Sequence, residues 1–428
     1  MSQSSPAPKK SLISHHDFRQ LWAGQSISQI GSAVTLLALP YLAIKELDAT
    51  PFQVTLLTMF QYLAFLLLGL PAGAWVDRMR HRRVMIVGDV GRAILLGSIP
   101  VAHAFDALTL TQLYAVTFGT SVLTLFFDVA YQSVLPSLVA DEQLVEGNAK
   151  LEATRKVAEV GGPGLAGAVI NVLSAPLAIA VNSVSFLGSA LFLTRIRRPE
   201  QRAEPRTDGN LRKEMGEGLR FVLGHPILRP IAATATISNL WGTIGISLLV
   251  VLLADTLHLS ALLVGLVFSA AAVGGIAGAV LAERVVARLG QGPAIWICMV
   301  ASTVCWFLAL PLYQDDWRLA LGIVLHGLGW VPFIIYNVTQ VSFRQRVTPK
   351  HLMARMNATI RFMVWGVVPI GALLAGVLAE NYGVRAAMWV GVVGELFAVL
   401  PVVISPLRSM RELPTAPEDE PAAAPATV

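Results

Sequence analysis

Gly73-Ala-Trp-Val-Asp77-Arg78-Met-Arg80-His81-Arg82-Arg83 packs one acid, one histidine and four arginines between two apolar stretches, Gln53 to Val76 and Val84 to Phe105. A helix needs about 20 apolar residues to cross a bilayer core, and each flank supplies that many. A basic hairpin between two spans marks its own side of the membrane, because loops facing the cytoplasm collect Lys and Arg. Working outward from the hairpin, apolar runs predict twelve spans, near 21–44, 53–76, 84–105, 110–135, 153–173, 176–194, 227–254, 261–282, 292–313, 318–343, 357–379 and 384–406. The composition agrees. A chain of 428 residues that is 55% hydrophobic and 14% charged, with mean hydropathy +0.64, is too apolar for a soluble protein of this size. The expected fold class is an all-α membrane protein with twelve transmembrane helices in two six-helix halves.

The basic excess, with a pI of 9.4, raises the question of nucleic acid, and the distribution answers it. With a cytoplasmic N-terminus, 28 of the 32 Lys and Arg fall in the tails, the even-to-odd loops or the span ends beside them. Only Lys45, Arg318 and Arg385 fall near the opposite side, and Arg92 lies inside a span. That asymmetry puts both termini in the cytoplasm and leaves no nucleic-acid surface. The longest polar segment, Arg195 to Arg229, carries nine basic residues and divides the chain. The predicted organisation is a tail over 1–20, a six-helix bundle over 21–194, a linker over 195–226, a second bundle over 227–406 and a Pro/Ala/Glu-rich disordered tail over 407–428. Gly119, Gln132, Val139 and Leu144 recur as Gly327, Gln340, Val347 and Leu352 at an offset of 208, and Asn148-Ala149 as Asn357-Ala358 at 209, which indicates duplicated halves. Within the linker, Gly209 to Arg220 suits a short amphipathic helix tethered near anionic headgroups.

Several chemistries find no support. There is no Walker A pattern, no His/Cys cluster with metal-ligand spacing and no nucleophile-base motif. Cys298 and Cys305 lie seven residues and so roughly 10 Å apart on one predicted helix, too far for a disulfide. The first apolar run is too long for a signal-peptide core and reads as a retained span. An enzyme, a metal or a bound cofactor is not expected.

The pattern Gly-x-x-x-Asp-Arg followed by clustered arginines resembles the loop between helices 2 and 3 of the major facilitator superfamily, and the likeness extends over residues 18–406. Phe18-Arg19-Gln20-Leu21-Trp22 leading to Gly31, Asp89-Val-Gly-Arg92-Ala93, Phe127-Asp128-Val-Ala-Tyr131-Gln132-Ser-Val-Leu-Pro136, and Arg355-Met-Asn357-Ala-Thr-Ile-Arg361 leading to Pro369-Ile-Gly371 resemble its drug and siderophore exporters, the macrolide-efflux and enterobactin-exporter type. The resemblance implies a two-bundle fold with a small-molecule path between the halves. It also implies a monomer in the plasma (bacterial inner) membrane that exports an amphipathic compound, works by alternating access and uses a proton gradient. An importer, an uncoupled facilitator and a non-transporting membrane sensor are the alternatives.

Residue by residue, the resemblance assigns a gating loop to Gly73, Asp77, Arg78, Arg80, His81 and Arg82, in which the acid latches the halves. His81 stands where the family usually has arginine, and a loop that only sets topology is the other reading. Gly162, Pro163 and Gly167 resemble the antiporter motif Gly-Pro-x-x-Gly-Gly, with Ala166 in place of one glycine. Small residues let helix backbones approach and proline kinks them, so plain packing is the alternative. Glu152, Arg155, Lys156 and Glu159 are spaced to pair along one helix.

Asp128 is the sharpest single residue. It lies inside span 4, which holds no basic residue, and Ser121, Thr124, Asp128, Tyr131 and Gln132 share one helical face. A carboxylate in a membrane is costly to ionise and marks a function by default. Asp128 and Glu159 are therefore the proton-coupling candidates, with a structural pairing to the Asp77 loop as the other reading for Asp128. Gln25 and Gln29 in span 1, Tyr131 and Gln132 in span 4, Trp241 in span 7, and Tyr336 and Gln340 in span 10 are expected to line a wet cavity and offer aromatic surface to an apolar or cationic guest. Asp89 and Arg92 are spaced to satisfy each other, and Glu395 in span 12 has no partner visible in the sequence.

Overall fold

A computed structural model describes residues 12, 15–76, 78–139, 143–198, 211–349 and 352–411, with side chains placed at all of these except 70, 74, 133, 136, 137, 144, 145, 149, 159, 211–215 and 354. The first half contains α1 (His16–Leu47), α2 (Pro51–Val76), α3 (His81–Ala104), α4 (Leu110–Leu138), α5 (Leu144–Leu173) and α6 (Ala175–Thr194). The linker contains α7 (Leu211–Gly224). The second half contains α8 (Leu228–Val251), α9 (Ala261–Leu289), α10 (Gln291–Ala309), α11 (Arg318–Val347), α12 (Met353–Gly366), α13 (Val368–Tyr382), α14 (Val384–Ala398) and α15 (Leu400–Val403). Helices are forced here because lipid offers backbone N–H and C=O groups no partner, so each span must bond internally.

Among the described residues, eleven helical rods are long and apolar enough to cross a membrane, α12 with α13 counting as one and α14 with α15 as another. The expected twelfth is α5. Its first half carries Glu146, Lys150, Glu152, Arg155 and Lys156, and it packs lengthwise against α1 and α9. Those charges, exposed or partly so, keep it below the apolar composition of the others.

Within the first half α1 packs on α5 and α6, α3 on α4 and α6, and α2 on α4; within the second, α11 packs on α9 and α10, and α14 on α8 and α13. Hydrocarbon gives apolar side chains no drive to associate, so close fit and polar bonds hold such bundles. Asn182 of α6 donates to Thr35 of α1 at 2.5 Å, and Ser183 of α6 donates to the Ala93 carbonyl of α3 at 2.6 Å. The duplication is visible in the backbone. Ser174 (φ 97°, ψ 159°) joins α5 to α6, and Gly383 (φ 85°, ψ 155°), 209 positions on, joins α13 to α14. Glycine reaches this positive-φ turn without cost, whereas the serine is held there by its surroundings.

Twelve crossings return the chain to the face it starts from, the terminal face. The buried core separates accordingly. One continuous cluster, including Leu42, Val54, Ile170, Leu248, Val264 and Ala379, runs through both halves on the face away from the termini. On the terminal side each half has a cluster of its own, around Phe18 and Leu135 in the first and around Phe343 and Met356 in the second. The molecule is sealed on the far face and divided on the terminal face.

The linker helix is more than a headgroup tether. Val222 of α7 is fully buried and Phe221 packs beside it in the terminal-side core of the second half. Glu217 pairs with Arg355 of α12, and Gly218 lies against the Arg355 carbonyl. The turn into α8 is fixed by His225, whose Nδ1 accepts from the N–H groups of Ile227 (3.2 Å) and Leu228 (3.3 Å). Burial lowers its proton affinity below the usual imidazole range, as an accepting nitrogen requires.

Candidate functional site

Asp128 lies ten residues before the end of α4, roughly 15 Å from the terminal face, and has company its own helix does not supply. Arg92 of α3, Arg361 of α12 and Arg155 of α5 all act on it electrostatically, one of them from the opposite half, against the cost of its burial. Arg92 is the buried hub. It donates to Asp89 at 2.5 Å and to Thr124 Oγ1 at 3.3 Å, and its guanidinium lies 4.4 Å from the centre of the Phe127 ring and 4.3 Å from that of Phe186. A planar, delocalised cation can satisfy carboxylate and aromatic faces together, which lysine cannot. Tyr131 lies beside Gln25 of α1. Gln132 is exposed, and Gln29 is partly buried with no side-chain contact that joins it to this group. Arg155 binds Glu152 at 2.9 Å through Nε. Replacing Asp128 with Asn is expected to lower thermal stability by about 1–3 kcal/mol, because several cations then lose their counter-charge. Thermal unfolding of the purified protein in detergent measures it, and an unchanged midpoint would show that the arginines are balanced elsewhere.

In the basic loop, Asp77 lies outside the described residues. Arg78 and Arg80 are exposed and His81 is buried. Arg82 donates through Nε to the Leu193 carbonyl at 2.9 Å and through Nη2 to that of Thr194, so it caps the C-terminus of α6, where a cation meets the negative end of the helix dipole. A side chain at Gly73 would meet open space, so packing does not require glycine there in this conformation.

The span-5 motif sits on the far-face seam between the halves. A Cβ on Gly162 would collide with Ala33 of α1. One on Gly167 would lie 2.5 Å from the Ala261 carbonyl and 3.1 Å from the Gly265 Cα, both of α9. Gly265 in turn lies against the Pro163 carbonyl. Beside the crossing, Tyr41 of α1 lies close to the Ala261 backbone. The Glu159 side chain lies outside the described residues.

The second half holds its polar residues inside rather than on an open cavity. Tyr336 and Gln340 are buried, Gln340 facing Asn337 at 3.4 Å. The Trp241 ring of α8 closes over Gly394 of α14. The aromatic surface expected of Tyr131, Trp241 and Tyr336 is thus divided between the two bundles in this conformation. Glu395, without a partner in the sequence, is 3% exposed and accepts from Ser238 of α8 at 2.5 Å. Sequence reasoning missed the junction of the halves near mid-membrane. There Arg361 lies 4.8 Å from the centre of the Phe65 ring, and Trp365 stacks on Tyr62 at 5.4 Å. A charge at Arg361, inside an apolar run, was the available signal.

Two bundles of membrane-spanning helices, charged residues buried at mid-depth and a seam of small residues between the halves define a transporter of the major facilitator type. The chain belongs to the transmembrane secretion effector family, whose pattern matches residues 7–426. This is a family of transporters, not enzymes. The multidrug efflux pump Tap of Mycolicibacterium fortuitum is 29% identical over 375 residues, covering 83% of this chain and 87% of that protein. Macrolide efflux protein A of Streptococcus pyogenes is 22% identical, covering 92% and 97%. The crystal structure of a bacterial homologue of the iron transporter ferroportin, in an inward-facing state, matches with a TM-score of 0.74 at 20% identity over 92% of this chain and 99% of that one. At that identity the likeness is one of fold.

Proposed function

We propose that the protein is a secondary efflux transporter that exports an amphipathic small molecule from the cytoplasm by alternating access, driven by proton entry. The observation that carries the reading is the core that is fused on the far face and divided on the terminal face, with Gly167 of the antiporter-like motif in the sealed seam. The positive-inside distribution makes the terminal face cytoplasmic, so the conformation is open to the side from which an exporter loads. Relatives named as efflux pumps support the direction. The setting is the bacterial inner membrane with both termini inside, and the partners are a small molecule and the surrounding lipid, with the chain acting as a monomer. No bound cofactor enters; the gradient supplies the energy.

Inside-out vesicles test this. With an acidic lumen they should accumulate ethidium, and a protonophore should abolish the accumulation. Uptake that ignores the protonophore removes antiport but leaves export standing, and no uptake by vesicles of either orientation removes transport of this cation.

A further inference from the structure

Asp128 in the first half and Glu395 in the second both lie at mid-membrane, and they differ in the cations within reach of them. Asp128 answers to three arginines. Glu395 lies eleven residues into α14, about 16 Å along the helix, and among the described residues only the Ser238 hydroxyl serves it, at Oε1. Its Oε2 has no hydrogen-bond partner, and neither has the hydroxyl of Tyr336, which is close enough to feel the Glu395 charge.

The helices around Glu395 hold little to balance a carboxylate. α14 packs on α8, α13, α10 and α15. Of these, α8 carries Arg229 at its terminal end, α13 carries Glu380 and Tyr382 at its far end, α10 carries Cys298 and Cys305, and α15 carries no titratable group. On α11 the neighbour is Tyr336, with Arg344 acting on Tyr336 rather than on Glu395. Burying an ionised carboxylate with one hydroxyl for company costs far more than burying the neutral acid, so such a group takes up a proton instead. The bond to Ser238 also gives proton occupancy a mechanical reach. It ties α14 to α8, and α8 touches α1 and α2 across the seam.

We propose that Glu395 is the proton-carrying group of this transporter, neutral while sealed between α8, α11 and α14 and ionised when that pocket opens to water. The proton enters as H⁺ on a carboxylate oxygen and leaves from it, with no other bond made or broken. The proposal rests on the antiport reading above and goes beyond it by naming the carrier.

Glu395→Gln keeps the shape and the acceptor for Ser238 but has no proton to release. In inside-out vesicles its gradient-driven ethidium uptake is expected to fall about tenfold or more, while ethidium counterflow without a gradient stays within about twofold of wild type. Gradient-driven uptake at the wild-type level, with the wild type still abolished by protonophore, overturns the assignment and leaves antiport intact. Equal loss of uptake and counterflow in a variant that melts like wild type overturns it in favour of a substrate-binding role. Wild-type uptake that ignores the protonophore removes the antiport reading itself. Two readouts hold if the variant folds poorly. In the wild type, the infrared carbonyl stretch of a neutral carboxylic acid should be present at neutral pH and be lost on titration to alkaline pH. Ser238→Ala, which removes the one donor favouring the ionised form, should move both that titration and the pH dependence of transport to higher pH by about one unit. Absence of the neutral-acid band, or no shift in Ser238→Ala, overturns the proposal.

Discussion

Arg92→Leu is expected to destabilise the protein by about 3–5 kcal/mol, the usual cost of removing one member of a buried ion pair. The Asp89 side chain is fully buried and receives its 2.5 Å bond from Arg92, so the variant strands a carboxylate in the interior of the first half. The same change withdraws a cation from Asp128 and empties the slot between the Phe127 and Phe186 rings. Thermal unfolding in detergent should show a clear drop in the midpoint. Adding Asp89→Asn to Arg92→Leu should recover part of it, because a neutral amide is cheaper to bury than an unpaired charge. An unchanged midpoint in the single variant would mean that the pair is hydrated and contributes little.

Gly167→Leu should act on the conformational balance rather than on the fold. Its Cβ would fall 2.5 Å from the Ala261 carbonyl and 3.1 Å from the Gly265 Cα, and backbone cannot step aside as a side-chain tip does. The collision exists only while α5 and α9 are in contact, that is, in the far-face-sealed state. Overpacking of this kind costs roughly 1–3 kcal/mol, which shifts a two-state ratio by about 5–150-fold. Under alternating access the variant should therefore populate the state open on the far face and lose most of its transport while still inserting and melting as a folded protein. Cysteines introduced on the far-face seam, at the buried Ala261 of α9 for instance, should become more reactive to a membrane-impermeant thiol reagent. Unchanged labelling and transport would show that the crossing tolerates the extra volume and that the motif is packing alone.

The spans and the two-fold duplication were legible in the sequence because the signals behind them are local. About 20 apolar residues in a row, basic loops on one side and a repeat at an offset of 208–209 do not depend on what a residue finally touches. The same holds for the existence of α7, whose amphipathic pattern lies in the stretch Gly209 to Arg220. The pairing of Arg155 with Glu152 was also within reach, since three residues on a helix are neighbours in any fold.

Partnership across helices was not legible. Asp128, without a cation on its own span, meets Arg92 from 36 positions before it and Arg361 from 233 positions after it. Glu395, without a partner in the sequence, accepts from Ser238, 157 positions away. The face of α7 that docks on α12 and the sealing of the far face by Gly167 and Gly265 likewise come from packing between separate spans. The sequence by itself determined how often the chain crosses and which loops are basic, because transfer into lipid is priced residue by residue along the chain. Only the tertiary structure decided which acid has cations within reach and which has a single hydroxyl, because in a low-dielectric interior the state of a charge depends on the few groups brought near it from other helices.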